Sequence, residues 1–262
     1  MPSTNYAYVN GHFIPETKAR VDITDRGFLH GFGLFETMRV YSGRIFRAAA
    51  HMERLFDSLR ALGIESLFTA EELRAICRAL IKYNDVADGI ARVQLTPDSL
   101  VATVRPCLFA PRRLTAIVSD IRLNPVISRH KTTHRLPYIL AQQQAVQAGA
   151  DDAVLLSPAG MVAELTTSNI FVVKDGKLFT PPLSDGPLPG VTRQVIMSLM
   201  AVEEKSFSPE FLENADEVFA TNSLREIAPV GTWSRRQEIT TRLQTAYRHL
   251  VERELSAQSS LA

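Results

Sequence analysis

Apolar residues recur at helical spacing in two early stretches. Met52, Leu55, Phe56, Leu59 and Leu62 fall three and four apart, which predicts an amphipathic helix over residues 48–62, stopped by Gly63. Leu73, Ile76, Cys77, Leu80 and Ile81 repeat the pattern, and Thr69 with Glu72 forms the capping box that starts this second helix. Elsewhere short β-type runs are punctuated by turn dipeptides. Asn10-Gly11 separates two strands near the start, Ser42-Gly43 separates 38–41 from 44–46, and Asp175-Gly176 sits inside NIFVVK-DG-KLFT as a type I′ hairpin. Further strands are expected at 91–95, 114–118, 153–157, 162–164 and 217–221. Further helices are expected at 136–148, from about 192, after Ser208-Pro209 and at 240–255. The stretch 97–111 has no clear period.

Helices and strands alternate without a strict βαβ repeat, so the expected class is α+β or mixed α/β with two domains. Residues 1–120 read as a smaller N-terminal α/β domain and 134–262 as a larger C-terminal one. Between them 121–133, with Asn124-Pro125 and little periodicity, reads as a linker. A chain of 262 residues suffices for such cores, and 45% hydrophobic with 22% charged residues is ordinary globular composition. Lys+Arg 29 against Asp+Glu 28 leaves no single-sign field, which argues against nucleic acid and anionic membrane as partners. The first residues lack the basic and apolar regions of a signal peptide, and no apolar run approaches the ~20 residues of a membrane span. Cys77 and Cys107 lie far apart with no CxxC. A cytoplasmic protein handling a small molecule is expected.

Six lysines occur, and five sit at hairpin turns, at a helix end or in charged surroundings where solvation explains them. Lys131, in RHKTTHRLPY, stands at the linker-to-domain junction before an apolar helix. It is either a solvated lysine or an amine held at a cleft for covalent work. Glu164 lies inside MVAELTTSNIFVV, where a carboxylate is costly unless paired. It is either a structural acceptor or the partner of a protonated ring nitrogen. GVTRQ places Gly190 and Thr192 at a helix start, where free N–H groups suit phosphate or simply water. Arg54 on the first helix is either a phosphate partner or a solvated arginine. His130 and His134 lack a third ligand and an HExxH pattern, so no metal is expected. GxSxG, Walker A and GxGxxG are all missing from the sequence.

In order along the chain come YVNG, DRGFLHGFGLFETMRVYSG, HMERL, HKTTHRL, AGADDAVLLSPAGMVAELTTSNIF, LFTPPL, LPGVTR and EVFATNSLREIAPV. This series, over roughly residues 6–230, resembles the class IV aminotransferases, the fold-type IV pyridoxal 5′-phosphate (PLP) enzymes. The resemblance implies their two-domain fold, PLP as cofactor, a small amino substrate and a homodimer. It implies that Lys131 carries PLP as a Schiff base and shuttles protons, and that Glu164 binds the pyridine nitrogen. Arg54 would pair with the phosphate. Val191 and Thr192 would present N–H groups, and Thr192 its hydroxyl, to that phosphate, with Asn222 and Ser223 on a second phosphate-side loop. Leu188 would pack on the ring face, and Thr167 would place a hydroxyl near the ring.

Within the family, DRGFLHGFGLFETMRVYSG, the TNSL loop and Leu136 five residues after Lys131 look most like the 4-amino-4-deoxychorismate lyases. The expected reaction is therefore elimination of pyruvate to give 4-aminobenzoate, as in folate biosynthesis. The alternative is transamination of D-amino or branched-chain amino acids, and a further one is a PLP-binding protein without turnover. Phe32, where many members have Asp, and LTPDSLVATVRP, without the usual Arg-Gly, depart from the family pattern.

Overall fold

The computed structural model describes residues 5–108 and 112–259. The chain forms two compact units, Met1–Phe109 with Lys131–His134, and Ala110–His130 with Arg135–Ala262.

The first unit contains β1 (Tyr6–Val9), β2 (His12–Pro15), α1 (Arg26–His30), β3 (Leu34–Tyr41), β4 (Arg44–Ile45), α2 (Ala48–Ala61), α3 (Ala70–Tyr83), β5 (Gly89–Leu95) and β6 (Leu100–Pro106). Its antiparallel sheet runs β2-β1-β6-β5-β3-β4. Burial alternates along β5 and the first part of β6, so the sheet has one core face. On that face Met38, Val40, Ala91, Val93, Ala102 and Val104 meet the apolar stripes of α2 and α3. The Thr69–Glu72 capping box forms as its spacing predicts. Each of the three predicted turns has positive φ at both residues, from Asn10 to Gly176. The hard-to-read stretch contains β6, reached by a tight turn at Pro97-Asp98. Thr96 Oγ1 accepts the N–H groups of Asp98 and Ser99 and donates to Asp25, the N-cap of α1. Residues 109–111, at the end of that stretch, lie outside the described residues.

The second unit contains β7 (Ala116–Arg122), α4 (Pro125–Ser128), α5 (Leu136–Gln147), β8 (Asp152–Leu156), β9 (Val162–Leu165), β10 (Asn169–Lys174), β11 (Lys177–Thr180), α6 (Val191–Leu199), β12 (Val202–Glu204), α7 (Pro209–Glu213), β13 (Glu217–Asn222), β14 (Glu226–Pro229) and α8 (Glu238–Ser259). They build a sheet β7-β8-β9 and a sheet β12-β11-β10-β13-β14. β8 and β9 are buried throughout because they are covered on both faces. Ala153 and Leu155 pack with Tyr138, Ala141 and Ala145 of α5, while Val154 and Leu156 join Ile170, Val172, Val218 and Ala220 of the larger sheet. The period of two along a strand sends alternate residues to the two cores.

The division of the chain differs from the sequence reading. β7 pairs in parallel with β8, so residues 116–122 belong to the second unit, and the change of unit falls near 109 rather than 120. The segment 121–133 is not an unstructured connection. It holds the end of β7 and α4, and then Lys131–His134 returns to the first unit along the chain before β3. Non-local strand pairing decided both points, and no local period reports it. Among the described residues, no helix is long and apolar enough to cross a membrane.

Candidate active site

In the first unit Lys131 is fixed by backbone pairing. Its carbonyl accepts the Phe35 N–H at 2.9 Å, Thr132 bridges Leu34, and the Thr133 N–H donates to the Gly33 carbonyl at 2.8 Å. Thr133 Oγ1 adds a bond to the Gly31 carbonyl at 2.7 Å. The lysine therefore extends from an anchored strand-like segment, not a flexible linker. Its Nζ lies 4.8 Å from the centroid of the Phe35 ring, and the Arg92 guanidinium lies 4.0 Å from the same centroid. One aromatic ring thus contacts two cations.

Arg54 is not a solvated helix-face residue. Its Nε and Nη2 donate at 2.7 and 2.6 Å to the two oxygens of Glu36, which is 0% exposed. His51, one helical turn earlier on α2, contributes a third bond to Glu36 through Nδ1 at 2.7 Å. Burial pushes the Glu36 carboxyl up, but Arg54 and His51 more than reverse this and hold it at about 2. Burial lowers the His51 pKa against the pull of Glu36, so its neutral ring donates from Nδ1–H. Glu36 and His51, the buried residues that fix Arg54, were passed over by motif reading. The signal was present: Glu36 shares the strand parity of Leu34, Met38 and Val40, and a charge on an apolar face demands partners.

In the second unit Glu164 is 4% exposed and its two oxygens have different donors. Oε1 accepts the Tyr138 hydroxyl at 3.1 Å, and Oε2 accepts the Leu188 N–H at 3.0 Å, with Asn169 Nδ2 at 3.5 Å. Asn169 Nδ2 also donates to the Leu188 carbonyl at 2.8 Å, so the backbone of Leu188 is tied on both sides. α6 begins at Val191 with Gly190 as N-cap, and no side chain caps it. Val191 and Thr192 are nonetheless buried. A Cβ at position 190 would overlap Asn169 Oδ1, so a side chain there would displace Asn169 or the start of α6. A buried helix start without a side-chain cap leaves N–H groups and the positive dipole end for an anion. Thr221, the register partner of Asn169 and on the same sheet face, has a buried hydroxyl with no hydrogen-bond partner among the described residues.

Asn222 shapes its loop with its whole side chain. Oδ1 accepts from the N–H groups of Leu224 and Arg225, while Nδ2 donates to the Thr167 carbonyl and to Ser168 Oγ. It frames the turn that carries Ser223, and Glu226 follows at φ 59. Thr167 is exposed beside it. Arg225 approaches the buried Asp152 at 3.6 Å, and Asp152 in turn holds the Thr166 N–H and hydroxyl. Among the described residues, no group of three or more His, Cys, Asp or Glu is arranged to hold a metal ion.

A buried carboxylate with one oxygen held by a phenol and the other by a main-chain N–H suits a protonated ring nitrogen. An uncapped buried helix start suits a phosphate. Both fit PLP.

Comparison with known proteins agrees. The class IV amino-transferase family pattern matches residues 33–233. The chain is 34% identical to a Methanocaldococcus jannaschii protein named "Putative branched-chain-amino-acid aminotransferase", covering 85% of this chain and 86% of that one. It is 31% identical to the D-alanine aminotransferase of Staphylococcus haemolyticus, covering 85% and 87%. The branched-chain aminotransferase of Thermoproteus uzoniensis, solved with norvaline, superposes with a TM-score of 0.88 at 30% identity over 95% of each chain. A Legionella pneumophila structure titled "Putative 4-amino-4-deoxychorismate lyase" superposes with a TM-score of 0.83 at 28% identity, covering 89% and 96%. The chain belongs to the class IV aminotransferase family. Its fold is the mixed α and β architecture of that family, and its cofactor is PLP.

Proposed function

We propose that this protein is a PLP-dependent aminotransferase taking a small amino acid of the D series or with a branched apolar side chain. The observation that carries the reading is Glu164, buried and held on both oxygens, in a chain whose relatives at 31% and 34% identity are named aminotransferases. These relatives support transamination better than the lyase expectation of the sequence. The PLP-binding segments are common to both reactions, so the local likenesses that favoured the lyase do not discriminate as relatives spanning most of the chain do.

When bound, PLP supplies an aldehyde that condenses with amines and a ring that accepts the electron pair released at a neighbouring carbon. Lys131 would be the amine that holds the cofactor covalently, and its Nζ would take up and return the substrate proton. Glu164 would accept from the ring nitrogen and Leu188 would pack on the ring face. The first N–H groups of α6 at Val191 and Thr192, with the Thr192 hydroxyl, would bind the phosphate. Arg54, its guanidinium plane set by Glu36, would add positive charge for the phosphate. Asn222 frames the loop that presents Ser223, and Thr167 would supply a hydroxyl for the ring.

We also propose a homodimer. α5 buries Tyr138, Ala141 and Ala145, yet its opposite side exposes Leu136, Ile139, Leu140 and Val146. A helix apolar on both sides is ordinarily covered on both. Two free cysteines, Cys77 and Cys107, suit a cytoplasmic location.

The test is an absorbance spectrum of the PLP-loaded protein before and after adding D-alanine, L-leucine or aminodeoxychorismate singly. Conversion of the bound cofactor to pyridoxamine 5′-phosphate by an amino acid alone is the expected result. Release of pyruvate and 4-aminobenzoate from aminodeoxychorismate, with no response to amino acids, would establish the lyase instead. That second reading is favoured by the TNSL loop and by the 28% identical neighbour.

A further inference from the structure

Tyr138 plays no part in the motifs that define the family resemblance, yet it is the donor on Oε1 of Glu164, at 3.1 Å. It lies on the inner side of α5 and is 8% exposed. One turn earlier, at the N-cap of the same helix, Arg135 places its guanidinium 3.6 Å from the centre of the Tyr138 ring. Arg135 Nη2 also donates to the carbonyl of Thr166, two residues beyond Glu164, at 2.6 Å. The start of α5 and the end of β9 are thereby joined twice, once through the phenol and once through the guanidinium.

We propose that Tyr138 is a positioning residue for the cofactor site: its phenol, braced by Arg135, holds the Glu164 carboxylate ionised and in one orientation for the protonated ring nitrogen. The inference rests on the PLP reading above. The geometry supports it in three ways. First, the donors on Oε1 and Oε2 come from different elements, α5 and the segment before α6, so together they fix the rotation of the carboxylate plane. Second, a hydrogen bond given to the charged form of an acid favours that form, which keeps the shared proton on the ring rather than on Glu164. Third, burial and the adjacent carboxylate push the Tyr138 phenol above its ordinary range, so it remains a donor wherever the enzyme works. The guanidinium over the ring face polarises the phenol toward donation. Among the groups facing Glu164 are the phenol and the Arg135 cation from α5, Asn169 from β10 and the Leu188 N–H.

The experiment compares wild type, Tyr138→Phe, Glu164→Gln and the double variant, each titrated with PLP and then with acid. The first reading is the dissociation constant from quenching of protein fluorescence. The second is the pH at which the absorbance of bound PLP changes on the acid side. For Tyr138→Phe the expected result is about a tenfold weaker PLP complex, with the acid-side transition raised by about one pH unit, the usual effect of removing one bond to a charged acceptor. The double variant is expected to match Glu164→Gln, because Tyr138 acts only through Glu164. Phenylalanine keeps the buried volume. Arg135→Gln, at the partly buried N-cap of α5, gives an independent arm with a smaller shift in the same direction. Equal dissociation constants and transitions for wild type and Tyr138→Phe would overturn the proposal, and so would additive losses in the double variant. Failure of the wild type to take up PLP would instead remove the reading on which the proposal rests.

Discussion

Replacing Glu36 by Gln tests whether a buried ion pair organises the first half of the site. Glu36 is 0% exposed and accepts three bonds, two from Arg54 and one from His51. Its carboxyl falls from the ordinary 4.5 to about 2. At about 1.4 kcal/mol per pH unit, that difference stabilises the folded state by about 3 kcal/mol at neutral pH. Breaking a buried pair by removing one partner costs about 3–5 kcal/mol, so the two routes agree. Because the folded-state value is depressed, the contribution is complete above about pH 4.5 and is lost as pH falls toward about 2. About 1 kcal/mol of it is gone at pH 4. His51 also loses stability on acidification, because its pKa is lowered and it must charge inside the fold below its ordinary 6.5. Glu36 pulls the His51 pKa back up, so this acid loss does not cancel between wild type and variant, and the informative comparison is made at pH 7, where the imidazole is neutral in both. Urea unfolding of the cofactor-free protein at pH 7 measures it. The expected difference is about 3 kcal/mol. A difference below about 0.5 kcal/mol would refute the reasoning.

Gly190→Ala places a methyl group against Asn169 Oδ1 and shifts the start of α6, so PLP affinity is expected to fall by at least about tenfold with circular dichroism unchanged. Lys131→Ala removes the covalent attachment, and the protein is expected to show only the absorbance of free PLP. Retained full activity in that variant would sink the central assignment. Ile139→Asp on the outer side of α5 is expected to convert the dimer to monomers by light scattering after size-exclusion chromatography, and a monomeric wild type would refute the dimer.

Local pattern reached far in this chain. Residues 48–62, the Thr69–Glu72 box and the Asp175-Gly176 hairpin follow from side-chain periodicity and turn chemistry, which act over a few residues. The family, and with it the cofactor, was legible in the ordered run of motifs from YVNG to EVFATNSLREIAPV. The choice between lyase and aminotransferase was not, because the PLP-binding segments are common to both reactions. Tertiary structure decided the rest. β7 joined the second unit through β8, and Lys131 was anchored beside Phe35 by pairing across about a hundred residues of chain. Arg54 found a buried carboxylate that no spacing rule connects to it, and Glu164 acquired Tyr138 and Leu188 as donors from two separate elements. The physical reason is the same in each case. Periodicity reports which face of an element is apolar, but the partners of a buried charge are chosen by the packing of elements distant in sequence, where an unpaired charge costs too much to leave.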